Sequence, residues 1–242
     1  MRKKILLFKE LNGLKYQDTW SYQKKIFDIM KQDNNILKKK YVGYLLFVKY
    51  NQHIYTIGKN GKENEHLLVN SEFMKKKNID FYRIDRGGDI TYHGPGQLVI
   101  YPILDLNYFF MDIHKYIRFL EEVIIKSLWI GFKINGVRDI GKTGIWISNK
   151  KKELKKICSI GIKVSRWVTM HGLAFNINTN LQYFKYIIPC GIYNRKMTSL
   201  KNELYNMNNN INENESLLFH KTKNIVKKFF KEIFEVELIQ TN

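Results

Sequence analysis

The sequence predicts a single α+β domain, and three observations carry that prediction. Strand-like runs rich in β-branched and aromatic residues crowd the middle of the chain. Segments of helical period stand near both ends and once between the strands, which fits a mixed, mostly antiparallel sheet flanked by helices. The chain has 242 residues, enough for one full-sized core, and it shows no internal repeat.

The elements follow in order. "YQDTWSYQKKIFDIMKQ" (16–32) sets Trp20, Phe27 and Met30 near helical spacing, with Asp18 able to cap, so it predicts an amphipathic helix. "YVGYLLFVKY" (41–50) and "HIYTIGK" (53–59) are separated only by "NQ" and predict a hairpin or paired strands. "FYRID" (81–85) enters a glycine-rich stretch and "LVIYPIL" (98–104) leaves it as a strand. "DIHKYIRFLEEVIIKSLWIGF" (112–132) repeats apolar residues at helical period. "GIWIS" (144–148), "KKICSIGIKVS" (155–165) and "WVTMHGLAFNIN" (167–178) predict further strands. Residues 1–200 are expected to hold the catalytic unit. The polar, low-complexity segment 201–216 is expected to be flexible, and an amphipathic helix over 217–238 to close the same domain.

Composition narrows the function. The two cysteines, Cys158 and Cys190, give no disulfide framework and point to a reducing compartment. No apolar run approaches the roughly 20 residues of a membrane span, and the run Ile5 to Phe8 is too short for a signal-peptide core. The net charge of +19 invites a nucleic-acid reading, but only seven of the 41 basic residues are Arg, the residue that reads bases and phosphates bidentately. The lysines therefore read as a solvated face, or as a field that favours an acidic partner, with no nucleic acid. "GVRDIGKT" (136–143) matches the phosphate-loop pattern GxxxxGK[ST]. That loop needs a helix N-terminus after it, and "GIWIS" follows instead, so the stretch reads as a hairpin turn.

The chemistry concentrates in two regions. "RGGDITYHGPGQLVIYP" (86–102) holds four of the 15 glycines and two of the three prolines, with an Arg and a His. "KKICSIGIKVSRWVTMHGLAFNIN" and "IIPCGIYNRKMTSL" hold both cysteines and a second His-Gly pair. Together these resemble the octanoyltransferase family, whose pattern is Arg-Gly-Gly, two variable residues, Thr, an aromatic, His-Gly-Pro-Gly-Gln, then a strand with Tyr. Arg86, Gly87, Gly88, Thr91, Tyr92, His93, Gly94, Pro95, Gly96, Gln97 and Tyr101 meet it. Lys156, Ile157, Ile160 and Gly161 meet the Lys-Ile…Ile-Gly segment, and His171, Gly172, Ala174 and Asn176 the His-Gly…Ala…Asn segment. Pro-Cys-Gly-Ile stands at 189–192 and Thr-Ser-Leu at 198–200. The chain departs from the family before Tyr55, where "YNQH" replaces a Glu-His-Pro.

The resemblance implies the fold of the biotin/lipoate protein ligase catalytic domains. It implies transfer of octanoyl from octanoyl-acyl carrier protein to a lysine of lipoyl domains, in 2-oxoacid dehydrogenase acyltransferase subunits or the glycine cleavage H protein. Cys190 would carry the acyl group as a thioester and Lys156 would adjust its proton state. Arg86, Gly87, Gly88, Asp89, Ile90, Thr91, Tyr92, His93, Ser159, Ile160, Gly161, Gly172, Leu173 and Ala174 would hold the substrate. No cofactor and no metal are implied, since a thioester donor carries its own activation, and a monomer is expected. A cysteine suits this exchange because donor and intermediate are both thioesters. The glycines at 87, 88, 94, 96, 161 and 172 would let backbone approach the acyl group.

By composition alone Lys156 is one of five lysines in "KKKELKK" and would be solvated. His93 and His171 stay open between shaping their loops and moving protons. Strand alternation points Cys158 the same way as Lys156, as a bystander thiol beside the site. An ATP-dependent lipoate or octanoate ligase of the same fold is the alternative, and a non-catalytic binder of acyl carrier protein or RNA is a third reading. The Asn and Lys bias suggests a eukaryotic organelle, plastid or mitochondrial, with the cytoplasm as the alternative.

Overall fold

The first element is one that the short apolar run near the N-terminus hides. In the computed structural model, which describes residues 4–32, 40–149, 152–193, 195–208 and 214–241, β1 (Lys4–Asn12) turns Leu6 and Phe8 inward. Helix α1 (Tyr16–Lys31) follows and buries Phe27 and Met30. Its cap position is Lys15, without a side-chain bond, while Asp18 sits inside the first turn. Asp18 thus complements the positive end of the helix dipole rather than capping it.

β2 (Gly43–Lys49) and β3 (His53–Ile57) do not pair, contrary to expectation. The linker lacks the glycine that a two-residue hairpin turn favours, and the chain crosses instead into a second sheet. Two short helices, α2 (Glu63–His66) and α3 (Ser71–Lys76), lead to β4 (Ile79–Arg83), β5 (Thr91–His93) and β6 (Gln97–Leu104). Helix α4 (Ile113–Phe132) starts where the Asp112 carboxylate accepts from Lys115 N–H at 2.9 Å. β7 (Gly136–Asp139) and β8 (Lys142–Ser148) form the expected hairpin at the "DIGK" turn. β9 (Leu154–Ser165), β10 (Val168–Asn176) and the short β11 (Lys196–Met197) complete the central strands.

The large sheet runs β12-β1-β2-β6-β10-β9-β8-β7, with β11 beside β9, and the small one runs β4-β3-β5. β12 (Val236–Gln240) is parallel to β1, as β1 is to β2, whereas the pairs from β2 to β7 are antiparallel. The period of two then sorts the core. Leu45, Phe47, Leu98 and Ile100 face α4 and α6 (Glu215–Phe234), while Leu46, Val48, Val99 and Tyr101 face α1.

The tail differs from its expectation. Part of the low-complexity segment is α5 (Leu200–Asn208), because Leu200 and Leu204, four residues apart, share one buried stripe. Residues 209–213 lie outside the described residues. The closing helix ends at Phe234, where Glu235 takes a left-handed φ of 53°, and the Val-Glu-Leu-Ile-Gln alternation becomes the edge strand β12.

Candidate active site

Lys156 lies where β9 departs from regular pairing. Ile145 pairs with Cys158 and Trp146 with Lys156, so Ile157 is the extra residue of a bulge. The bulge breaks the side-chain alternation and corrects the expectation for Cys158. That thiol faces the core with Ile157, is wholly buried, and approaches Ser159 O at 3.7 Å, with burial pushing its pKa well above the ordinary value. Lys156 points the other way and is itself only 3% exposed. Its Nζ donates to Thr143 O at 3.0 Å and to Cys190 Sγ at 3.5 Å, and lies 4.6 Å from the centre of the Trp146 ring. A side chain on Gly144 would come within 3.2 Å of Lys156 Cε and 2.6 Å of Cys158 O, so only glycine leaves the ammonium this path.

Cys190 occupies the turn Pro189–Gly191 with φ 60° and ψ 18°, a left-handed conformation that costs a non-glycine residue about 1–2 kcal/mol. Its N–H donates to Ile90 O at 2.8 Å. The side chain is partly exposed, unlike that of Cys158. Arg86 is buried nearby, giving Nη2 to Thr56 O at 2.7 Å and to Thr56 Oγ1 at 3.0 Å. Burial lowers the pKa of its guanidinium, and the Cys190 sulfur is the largest influence in the opposite sense. Two cations thus stand by the thiol.

A cavity of about 320 Å³ opens on this pair. Arg86, Gly87, Gly88, Asp89, Thr91, His93, Ser159, Ile160, Gly161, Gly172, Leu173 and Ala174 line it, together with Lys156 and Cys190. Its apolar wall is extended by Ile84, Val99, Tyr101 and Ile162. Among the described residues the Thr91 hydroxyl is buried without a hydrogen-bond partner, which is the condition of a group awaiting a ligand.

Ile90 and Tyr92 stand apart from the cavity, because on this short strand Thr91 and His93 take the facing positions. Tyr92 packs parallel to Tyr183 at 5.1 Å and meets His53 Nδ1 through its hydroxyl at 2.8 Å. Gly94 and Gly96 also lie off the cavity, and the space beside Gly161 holds the Arg86 side chain, 2.9 Å from where a Cβ would be. Gly94 and Gly96 thus admit protein atoms, while Gly161 lines the cavity beside the Arg86 side chain.

Both histidines of the two motifs are hydrogen-bonded wall residues. His93 donates from Nδ1 to Gln97 Oε1 at 2.9 Å and meets Thr56 Oγ1 at 3.3 Å through Nε2; burial lowers its pKa to about 4, so it is neutral at pH 7. Gln97 continues the network to Asn176 Oδ1 at 2.9 Å. His171 pairs with Asp85 Oδ1 at 2.9 Å, and burial lowers its pKa too. The reading of the sequence misses Asp85, and it misses His66, whose Nδ1 meets Asp89 Oδ2 at 2.6 Å. His66 sits in "KENEH", among charges that read as solvated; its one signal is that the chain has six histidines.

Comparison with known proteins identifies the family and the fold. The family model for the lipoyl protein ligase A/B catalytic domain matches residues 15–218. An octanoyltransferase of Christiangramia forsetii is 46% identical over 236 residues, covering 93% of this chain and 94% of its own. One from Flavobacterium johnsoniae is 44% identical, covering 99% and 100%. Among solved structures, an archaeal bi-partite lipoate protein ligase from Thermoplasma acidophilum superposes with a TM-score of 0.65 at 16% identity, covering 100% of this chain and 87% of its own. Lipoate-protein ligase A bound with ATP superposes at 0.62 with 18% identity, covering 100% and 89%. At such identities these two speak for the fold alone.

Proposed function

The chain belongs to the octanoyltransferase family within the lipoyl protein ligase A/B catalytic domains, and from that premise we propose that it moves octanoyl through a thioester on Cys190. The observation that carries the proposal is the 3.5 Å approach of Lys156 Nζ to Cys190 Sγ inside a cavity with an apolar wall. The donor is octanoyl-acyl carrier protein and the acceptor a lysine of a lipoyl domain. The thiolate of Cys190 attacks the donor carbonyl, the carrier thiolate leaves, and Lys156 gives that thiolate its proton. In the second half the acceptor amine attacks the acyl-enzyme, Lys156 takes the amine's proton, and Cys190 leaves as thiolate. Protons balance over the cycle and the ammonium is restored. The Thr91 hydroxyl supplies a hydrogen bond to the carbonyl oxygen as charge develops there. Arg86 and Lys156 hold the thiolate by charge.

Among the described residues no helix is long and apolar enough to cross a membrane. Both octanoyltransferases named above are bacterial, and on that ground the cytoplasm is the better of the two compartments left open. The test is transfer from octanoyl-acyl carrier protein to a lipoyl domain, followed by intact mass without ATP. Turnover that requires free octanoate and ATP would support the ligase reading instead.

A further inference from the structure

We propose that His66 and Asp89 are positioning residues that clamp the nucleophile's turn. Cys190 holds a left-handed conformation, and Gly191 after it has φ 64°. Glycine adopts this backbone freely, but the left-handed cysteine needs outside support. The support comes from two strips of backbone. His66 O accepts from Ile188 N–H at 2.8 Å, and Ile90 O accepts from Cys190 N–H at 2.8 Å. These strips belong to α2 and to the segment entering β5, which are far apart in sequence.

One side-chain bond joins them. The His66 imidazole meets Asp89 Oδ2 at 2.6 Å, and Asp89 Oδ1 accepts from Ile90 N–H at 2.5 Å. The same aspartate thus fixes the residue whose carbonyl holds Cys190. Both groups are buried, His66 to 5% and Asp89 to 9% exposure, and the shielding strengthens the bond. They also touch the turn. A Cβ on Gly191 would stand 2.8 Å from Asp89 Oδ2 and 3.0 Å from His66 Cε1, so the glycine backbone lies against the pair. The Tyr193 ring closes over His66 edge-on, at 5.9 Å between centres. Lys156 accounts for the proton transfers, so the pair acts by geometry alone and keeps Cys190 Sγ at 3.5 Å from Lys156 Nζ.

This inference rests on the acyl-enzyme reading only for its second readout. The first is the rate at which iodoacetamide alkylates Cys190, followed by peptide mapping, which needs neither donor nor acceptor. The second is the single-turnover acylation rate with octanoyl-acyl carrier protein. His66→Ala and Asp89→Ala are expected to slow both by about 10- to 100-fold, the scale of a small misplacement of a reacting atom. For His66→Ala, whose side chain lies off the cavity, the KM for the carrier donor is expected to stay within about twofold, since loss of positioning lowers kcat.

His66→Asn places an amide nitrogen near the lost Nδ1 and is expected to recover most of the rate. The double variant is expected to be no slower than either single one, as members of one contact are not additive. Alkylation rates of both Ala variants within about twofold of the parent would overturn the proposal. So would His66→Asn proving as slow as His66→Ala at equal thermal stability. A parent enzyme that alkylates normally but forms no acyl adduct would instead refute the acyl-enzyme reading. If His66→Ala does not fold, Asp89→Ala and His66→Asn decide.

Discussion

The two cysteines sit in neighbouring parts of one domain and have opposite surroundings. Cys158 lies on the large sheet, wholly buried among Ile145, Ile157 and Phe175 in the core, with its thiol driven up by burial. Cys190 lies on a three-residue turn, partly exposed, in a conformation a cysteine resists, with a lysine at 3.5 Å and a buried arginine nearby. Deep burial outweighs the charge of nearby Lys156 and makes the Cys158 thiol a small hydrophobe, whereas partial exposure on a left-handed turn beside Lys156 and Arg86 gives Cys190 the surroundings of a reactive thiol. The difference comes from backbone, through a bulge at Ile157 in one case and a left-handed turn in the other.

That contrast is open to direct attack, most strongly at the sulfur itself. Cys190→Ser should reduce octanoyl transfer by on the order of 10³-fold or more, since a hydroxyl is far less ionised than a thiol. Comparable turnover in the variant would break the comparison. Lys156→Ala should fold and slow acylation by about 10²–10⁴-fold, the range of a lost acid–base partner, as measured by quenched single turnovers. Cys158→Ala should keep its turnover and lose only about 1 kcal/mol of stability in urea melts. A collapse of activity in folded Cys158→Ala would mean the thiols had been assigned the wrong way round.

Smaller effects sharpen the picture of the wall around Cys190. Folded His93 has its pKa lowered by burial from 6.5 to about 4, so between those values the unfolded chain binds a proton that the folded site refuses. Stability should therefore fall as pH drops from about 6.5 towards 4, and the slope should flatten in His93→Asn. His171, lowered by burial, adds to this with the same sign. Asp85, held low by its hydrogen bond from His171 and then by Lys163, also acts in this direction, but only below the ordinary carboxylate range. A urea midpoint that is constant from pH 7 to 4 would contradict a buried, neutral His93. The last effect concerns the charge of +19. Raised salt should slow reaction with an acidic carrier donor and leave a small octanoyl thioester nearly unaffected.

Much of this was legible because it is written in local pattern. The period of two in "LVIYPIL" and the helical period of 112–132 mark elements whose faces the core confirms. The motif residues are brought together: 14 of the 16 proposed site residues line one cavity, while Ile90 and Tyr92 back it. What escaped depends on partners distant in sequence. The strands β1 and β12 are visible chiefly through each other, as parallel neighbours more than 220 residues apart. The bulge that turns Cys158 away arises from pairing with β8, and alternation along β9 alone predicts the reverse. His66 reads as one more solvated group until Asp89, 23 residues on, is seen against it.

The central claim is that Cys190, and not Cys158, carries the acyl group. Incubating the enzyme with octanoyl-acyl carrier protein and no acceptor, then mapping peptides before and after hydroxylamine, tests it directly. The account predicts one octanoyl group on the peptide holding Cys190, released by hydroxylamine as a thioester is. An octanoyl group on Cys158 or on a lysine, or no adduct in an enzyme that still turns over, would contradict it.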